Sequence, residues 1–379
     1  MKIKFTRMTF FLLALSLLFS LNQDEVLAQN NNESRHIIIV IDGQANYRDV
    51  NWGNDSWQPL SVGLPIQSSW LIAPVGPSTV TVLCSDGTFE VLSGTTSNSG
   101  CNNTGASFTS QLDIEDLIRQ RGTRGDNEDA NQVTILTPID RISTTTPFIS
   151  WTPSQDFDTY LISILDNGLP VDGGNVTVTG ETFYQMEPDI LERGKAYDLR
   201  VAPVSSTNET QFTYRDTINV SILPEADYAE FAQIRQLFQD VALQLATSEQ
   251  VSVYAEAWAF YEFSLFSEAE MRLKDLITPD VETESLGNPN VLEASPYPYI
   301  VAGDSSLFLG QDGVARDYYN KALASAQTIE DYWIMAVAVD RLATLEDEAN
   351  RQVCYRNHAQ SLREFVINNT DVSTSLADC

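Results

Sequence analysis

Two histidines, His36 and His358, and four cysteines, Cys84, Cys101, Cys354 and Cys379, are the side chains best suited to nucleophilic or metal chemistry near neutral pH. His36 borders a strand-like run near the start and His358 lies on a helix-like stretch near the end, so no His–His or His–Cys zinc cluster is expected within one domain. No Cys-x-x-Cys, Gly-x-Ser-x-Gly, His-Glu-x-x-His, Walker loop or dinucleotide fingerprint occurs. Neither a metal nor a cofactor is expected on these grounds. Carboxylates are abundant: 52 acids face 22 bases, for a formal charge of −30. Paired acids arise everywhere in such a chain, so a carboxylate-based hydrolase stays open as an alternative. Glu256 and Glu262 accompany Tyr254, Trp258, Phe260, Tyr261 and Phe263, a set that could line a carbohydrate groove or simply form a helical core. Asp42-Gly43 is read as a turn. The acidic surface repels nucleic acid and anionic lipid, and no basic, aromatic stripe opposes that.

Residues 1–28 have the order of a cleavable export signal. Lys2, Lys4 and Arg7 precede an apolar run from Met8 to Leu21, and Val26-Leu27-Ala28 offers a cleavage site before Gln29. The run is short for a membrane span. A retained N-terminal anchor is the alternative; after cleavage no stable span is expected. The expected location is periplasmic or secreted, where disulfides persist. Four cysteines allow three pairings. The sequence-local one, Cys84–Cys101 and Cys354–Cys379, is favoured because each pair falls within one expected domain.

The elements that would position any site begin with the C-terminal half. Residues 224–367 read as successive helices with small residues at fixed spacing. Ala315 is followed by Tyr319 and Ala322; 34 residues later Ala349 is followed by Val353. Gly303 lies twelve before Ala315, and Val337 twelve before Ala349. Ala257 lies twelve before Ala269, which precedes Ala315 by one period plus a twelve-residue insertion in the proline-rich stretch 278–298. A period of 34 with small residues at helix crossings suits stacked helix pairs. A plain helical bundle that mimics the spacing is the alternative.

These residues, with Tyr299 and Trp333, resemble tetratricopeptide (TPR) repeats. Val337 and Arg356 depart from the usual pattern, and the closing proline is missing. The resemblance implies an all-α solenoid whose A helices form a concave docking face. On repeat position that face would use Glu256, Ser306 and Asp340.

Ahead of the helices stand two strand-rich stretches. Residues 34–105 hold the run His36–Ile41, three tryptophans (Trp52, Trp57 and Trp70), and an alternating segment, Val80, Val82 and Cys84, that turns at Asp86-Gly87. This stretch resembles the FecR-like envelope domain, as a small all-β unit. Residues 106–131 are expected to be a helix and a charged linker; it contains Arg124-Gly125-Asp126, and its acids lack calcium-loop spacing. Residues 132–223 give seven short strand candidates over about 90 residues. Trp151 and Tyr197, in their strand contexts, make this stretch similar to a fibronectin type III or immunoglobulin-like β-sandwich, and the whole resembles multidomain exported proteins of cyanobacteria. Residues 368–379 form a polar tail.

The expected architecture is thus a small β domain, a β-sandwich and an all-α TPR-like solenoid. The expected function is an exported, non-enzymatic scaffold or adaptor. It would bind a protein or peptide of the cell envelope, with a basic segment, through the helical groove. An exported carboxylate-based hydrolase or carbohydrate-binding protein is the alternative.

Overall fold

The structure is a computed structural model. It describes residues 35–101 apart from 54–55, 68, 85–87 and 99; residues 131–277 apart from 206, 208, 212–214 and 245–248; and residues 295–368 together with 376 and 379. The expected signal at 1–28, the helix and linker over most of 106–131, the insertion at 278–294 and most of the tail lie outside the described residues.

The first unit is built from β1 (Arg35–Asp42), β2 (Ala45–Asp49), β3 (Gln58–Pro59), β4 (Pro65–Gln67), β5 (Trp70–Pro74), β6 (Thr79–Leu83), β7 (Phe89–Ser93) and β8 (Ser97–Asn98). Two four-stranded sheets result, ordered β4-β1-β6-β7 and β3-β2-β5-β8. The run Ile37-Ile38-Ile39 is buried throughout, as expected of a strand covered on both faces. The chain turns from β1 into β2 at Gly43, where φ is +98° and a Cβ would strike the Ser78 side chain. Ser78 Oγ accepts the Gln44 N–H and donates to the Val75 carbonyl, so the turn is pinned from both sides.

The second unit holds β9 (Ile135–Thr137), β10 (Asp140–Ile142), β11 (Phe148–Trp151), β12 (Thr159–Asp166), β13 (Leu169–Thr179), β14 (Phe183–Gln185), β15 (Ala196–Pro203) and β16 (Asp216–Ile222). Its sheets are ordered β10-β16-β15-β12-β13 and β14-β11-β9. Strand alternation turns Ile149 and Trp151 inward with Ile162, Tyr197 and Val220, and this unit has its own core.

Seven helices follow among the described residues: α1 (Glu225–Gln244), α2 (Glu249–Glu262), α3 (Phe266–Ile277), α4 (Pro296–Phe308), α5 (Asp312–Ile329), α6 (Tyr332–Thr344) and α7 (Ala349–Asn368). Prolines in the first turn start α4, where their missing N–H groups cost nothing. Glu330, left-handed at φ 59°, ends α5, and Asp331 caps α6.

This arrangement corrects the expected fold class. Four sheets occupy the N-terminal part, and the described helices are confined to the C-terminal part. The helices are not a free-standing all-α solenoid, and the first β unit is not a separate small domain. One apolar core runs unbroken from Ile37 in β1 to Val366 in α7. The physical reason lies in the helix starts. Tyr254, Ser295, Asp331, Tyr332 and Trp333 line the edge that an open solenoid would leave to solvent, and the first β unit covers it.

Gly303 shows how tightly the helices approach. A Cβ there would lie 2.4 Å from Cε1 of Tyr319, across the α4–α5 contact. That ring is fully buried, and its hydroxyl is held by Asp304 at 2.8 Å, so it cannot step aside. Gly303→Ala should therefore cost about 1–3 kcal/mol through overpacking. A lowered urea midpoint with an unchanged slope would register it; an unchanged midpoint would contradict it.

Candidate functional site

The helix edge and the first β unit meet in an aromatic and polar cluster. Strand alternation in β2 sends Tyr47 inward, where it stacks on Trp70 with ring centroids 5.1 Å apart. Trp52 packs on Tyr47, on Trp70 and, across the junction, on Trp333 of α6 at 4.9 Å. The Tyr47 hydroxyl donates to both oxygens of Asp331, at 3.1 and 3.2 Å. Asp331 also accepts the Ile334 N–H at 3.0 Å, as the N-cap of α6. Around this centre, Tyr332 N–H donates to Gln58, Gly53 N–H to the Ile367 carbonyl, Tyr254 hydroxyl to the Gly63 carbonyl, and Ser295 hydroxyl to the Val62 carbonyl. Burial pushes the Asp331 carboxyl up to about 7, against the pull of the Ile334 N–H, the Tyr47 hydroxyl and the Trp333 N–H. The Tyr47 phenol is raised as well, first by burial and then by Asp331.

A second polar centre lies inside the helices. Asp304 of α4 accepts Tyr261 of α2, Tyr319 of α5 and Arg341 of α6, each at 2.8 Å. Burial lowers the basicity of the Arg341 guanidinium, but Asp304, Tyr319, Tyr261 and Asp340 outweigh it and leave the group more firmly protonated. Glu256 of α2 is paired with Arg235 of α1 and Arg272 of α3, and Glu346 with Arg316 and Arg351. These buried carboxylates work as cross-links between helices.

The residues expected on a helical docking face fare accordingly. Glu256 and Ser306 are buried, and Asp340 is half-buried and bonded to Arg363 at 2.8 Å. They do not form one exposed face, because a repeat position says where a residue sits along a helix but not what lies over it. Among the expected packing residues, Ala257, Ala269, Gly303, Ala315, Tyr319 and Ala322 are buried. Val337 is partly buried, Ala349 is exposed, and Val353 is 55% exposed on α7. Trp333 packs on the first β unit rather than on a neighbouring helix pair. Sequence reasoning missed Asp304, Asp331, Tyr47, Tyr261 and Arg341 as a connected set. A signal existed for two of them: Asp331 precedes an apolar run in N-cap style, and Asp304 is a lone acid in an apolar stretch.

Cys84 is bonded to Cys101 and Cys354 to Cys379, with Cα separations of 5.5 and 5.6 Å. The first bond joins the end of β6 to the chain after β8, so it staples one sheet to the other. The expectation that no His–Cys cluster forms within one domain is corrected here. Antiparallel pairing of Ile37 with Leu83 brings His36 beside Cys84, and the ligating atoms of His36, Cys84 and Cys101 lie within 4.8 Å of one another.

No protein-family model matches the chain, and the search of curated proteins found no match. Among solved structures, a β-1,2-glucanase from Parabacteroides distasonis aligns over 88% of this chain, at 10% identity and a TM-score of 0.21. The chain spans 49% of that protein's length. A likeness of this size bears on neither fold nor activity.

The outer face of the second β unit is a further candidate. Phe148 and Phe183, on neighbouring strands β11 and β14, stack at 5.5 Å and are 45% and 47% exposed. Leu136 on β9 is similarly exposed on the same sheet. No helix of the described residues is long and apolar enough to cross a membrane.

Asp331 makes stability pH-dependent in a predictable direction. Its folded-state value near 7 exceeds the ordinary 3.8, so between about pH 4 and 7 the folded chain holds a proton that the unfolded chain lacks. Stability from this group is therefore greatest below that window, falls as pH rises through it, and is level above it. The loss is on the order of 4 kcal/mol at most. Asp331→Asn keeps a capping oxygen and removes the titration. Denaturant unfolding at pH 5 and pH 8 should show a larger drop for the wild type than for the variant. Equal drops would contradict the assignment.

Proposed function

We propose that this chain is an exported, non-enzymatic scaffold or adaptor that engages a protein of the cell envelope through the outer face of its second β unit. The observation behind this reading is the stacked Phe148–Phe183 pair with Leu136, left half in water on an open three-stranded sheet. Burying a phenylalanine side chain is worth about 1.5–3 kcal/mol. Two adjacent ones held on rigid strands are a ready anchor for a partner surface. β14, which carries Phe183, and β9, which carries Leu136, are the edge strands of this sheet.

The rest of the architecture supports a scaffold. The helices and the first β unit share one core, and buried acids on the helices are paired with arginines of neighbouring helices. The helical groove is not the docking face in this reading, since its edge is already covered from within the chain. The formal charge of −30 favours a partner with a basic rim around an apolar anchor, and disfavours polyanions. Export rests on the leader-like residues 1–28, and the two disulfides suit an oxidising compartment.

The test is photo-crosslinking from position 150, on the outer face of β11, in intact cell envelopes. One partner should be captured, lost in the Phe148→Ser/Phe183→Ser double variant, and retained in Asp340→Arg on the helices. Capture that survives the double variant would overturn the sheet-face assignment.

A further inference from the structure

The cluster formed by His36, Cys84 and Cys101 has a second possible state. His36 lies on β1 and Cys84 directly follows the neighbouring strand β6, and both are buried. His36 is held between partners on both sides, opposite Ile66 of β4 and next to the Ile37–Leu83 pair with β6. Cys84 is anchored by its own N–H, which donates to the Thr88 carbonyl at 2.8 Å. Cys101 is different: it follows the last strand of the other sheet and is partly exposed. One donor is thus on a strand, one directly follows a strand, and the third is the least buried of the set.

We infer that reduction of the Cys84–Cys101 bond converts His36, Cys84 and Cys101 into a three-donor site for Zn2+, so that this disulfide is a redox gate on metal binding. The spacing suits it. Zinc bonds of about 2.3 Å to sulfur and about 2.0 Å to imidazole nitrogen place tetrahedral donors about 3.5–3.8 Å apart. The His36 nitrogen already lies within 4.8 Å of both sulfurs, and once the bond is cut the sulfurs must part from bonding distance by about 2 Å to reach tetrahedral spacing. Charge selects the ion. Two thiolates and a neutral imidazole sum to −2, which Zn2+ cancels and Cu+ does not, and a buried site strongly favours neutrality. The fourth ligand would be water, approaching past the partly exposed Cys101. Two cysteines, one histidine and an open position make a donor set that zinc accepts.

The reductant is a dithiol. Its thiolate attacks Sγ of Cys101, the less buried residue of the pair, and the Cys84–Cys101 bond breaks as a mixed disulfide forms. The Cys84 thiolate takes up a proton. The second dithiol sulfur then displaces Cys101 and leaves as a cyclic disulfide, so two electrons and two protons end on the cysteine pair. Zn2+ displaces those two protons when it binds.

The experiment uses the full chain carrying Cys354→Ser and Cys379→Ser, so that only this pair can change. The protein is reduced with a dithiol, freed of reductant without oxygen, and titrated with Co2+ and then Zn2+. One Co2+ per chain should give thiolate-to-cobalt charge-transfer absorption, which Zn2+ abolishes and reoxidation abolishes with release of the metal. The oxidised protein should give none, because surface carboxylates bind cobalt without that band. His36→Gln should weaken zinc binding; because it alters a buried strand, Cys101→Ser is the second variant, with its fold checked by circular dichroism. Losing one ligand should weaken zinc binding at least about tenfold, since losing even a ligand's outer partner costs that much. Absence of the band in the reduced parent, or a band and affinity unchanged in Cys101→Ser, would overturn the site.

Discussion

Asp331 is an acceptor for two different parts of the chain at once. It closes the first turn of α6 through the Ile334 N–H and receives the Tyr47 hydroxyl from β2, 284 residues earlier. Trp52 and Trp333 pack beside this bond and keep water from it. The helices need this cover. The starts of α4 and α6, with Tyr254 of α2, present aromatic side chains and uncapped donors that would be costly in either water or a dry void. The first β unit supplies carbonyls, a glutamine oxygen and apolar surface at the matching places. Closing so long a loop costs little more than closing one half its length, about 0.6 kcal/mol per doubling, so the contact is thermodynamically easy once it forms. It is non-local, however, and contacts of this kind form slowly.

Inside the helices the same logic is met with charge instead of apolar cover. Asp304 collects Tyr261, Tyr319 and Arg341 from three other helices. Removing one partner of a buried ion pair typically costs about 3–5 kcal/mol, while replacing the whole set with apolar groups can be neutral. The network is therefore better understood as fixing how α2, α4, α5 and α6 meet than as a source of net stability. Gly303, next to Asp304, lets the Tyr319 ring come close enough to reach it. The small residue and the buried acid are two halves of one contact.

Local pattern made some of this readable from residue order, and distance hid the rest. The run from His36 to Ile41 and the alternation around Val80 and Val82 point to strands because burial on a pleated sheet follows period two. The Gly303–Tyr319 spacing points to a close helix crossing for a similar reason. Nothing local to Trp333 says that Trp52 will lie against it, and so Trp333 reads as a packing residue of a repeat. Ser306 and Glu256 read as surface for the same reason: helical phase gives their direction, but the covering groups come from other helices. Composition changes between residues 34–105 and 224–367, and nothing local to either stretch says that they share one core. His36 and Cys84 are 48 positions apart, and only the β1–β6 register makes them neighbours.

The second β unit is attached differently from the first. Its core is its own, and its links to the helices are mostly polar: Ser143 to Glu268, Ile139 to Ser267, Arg141 to Asp227, and Arg193 both to Glu225 and over the Tyr228 ring at 3.4 Å. The chain also runs from β16 into α1 with only Leu223 and Pro224 between them. A short connection and directional bonds fix orientation without merging cores, so the unit can be positioned and still keep its outer sheet clear of the helices. The first β unit shares its core with the helices, whereas the second keeps its own core and carries Phe148 and Phe183 on the side facing away from it. Single aliphatic side chains such as Val91 and Val353 are exposed elsewhere among the described residues, whereas Phe148 and Phe183 form a stacked aromatic pair.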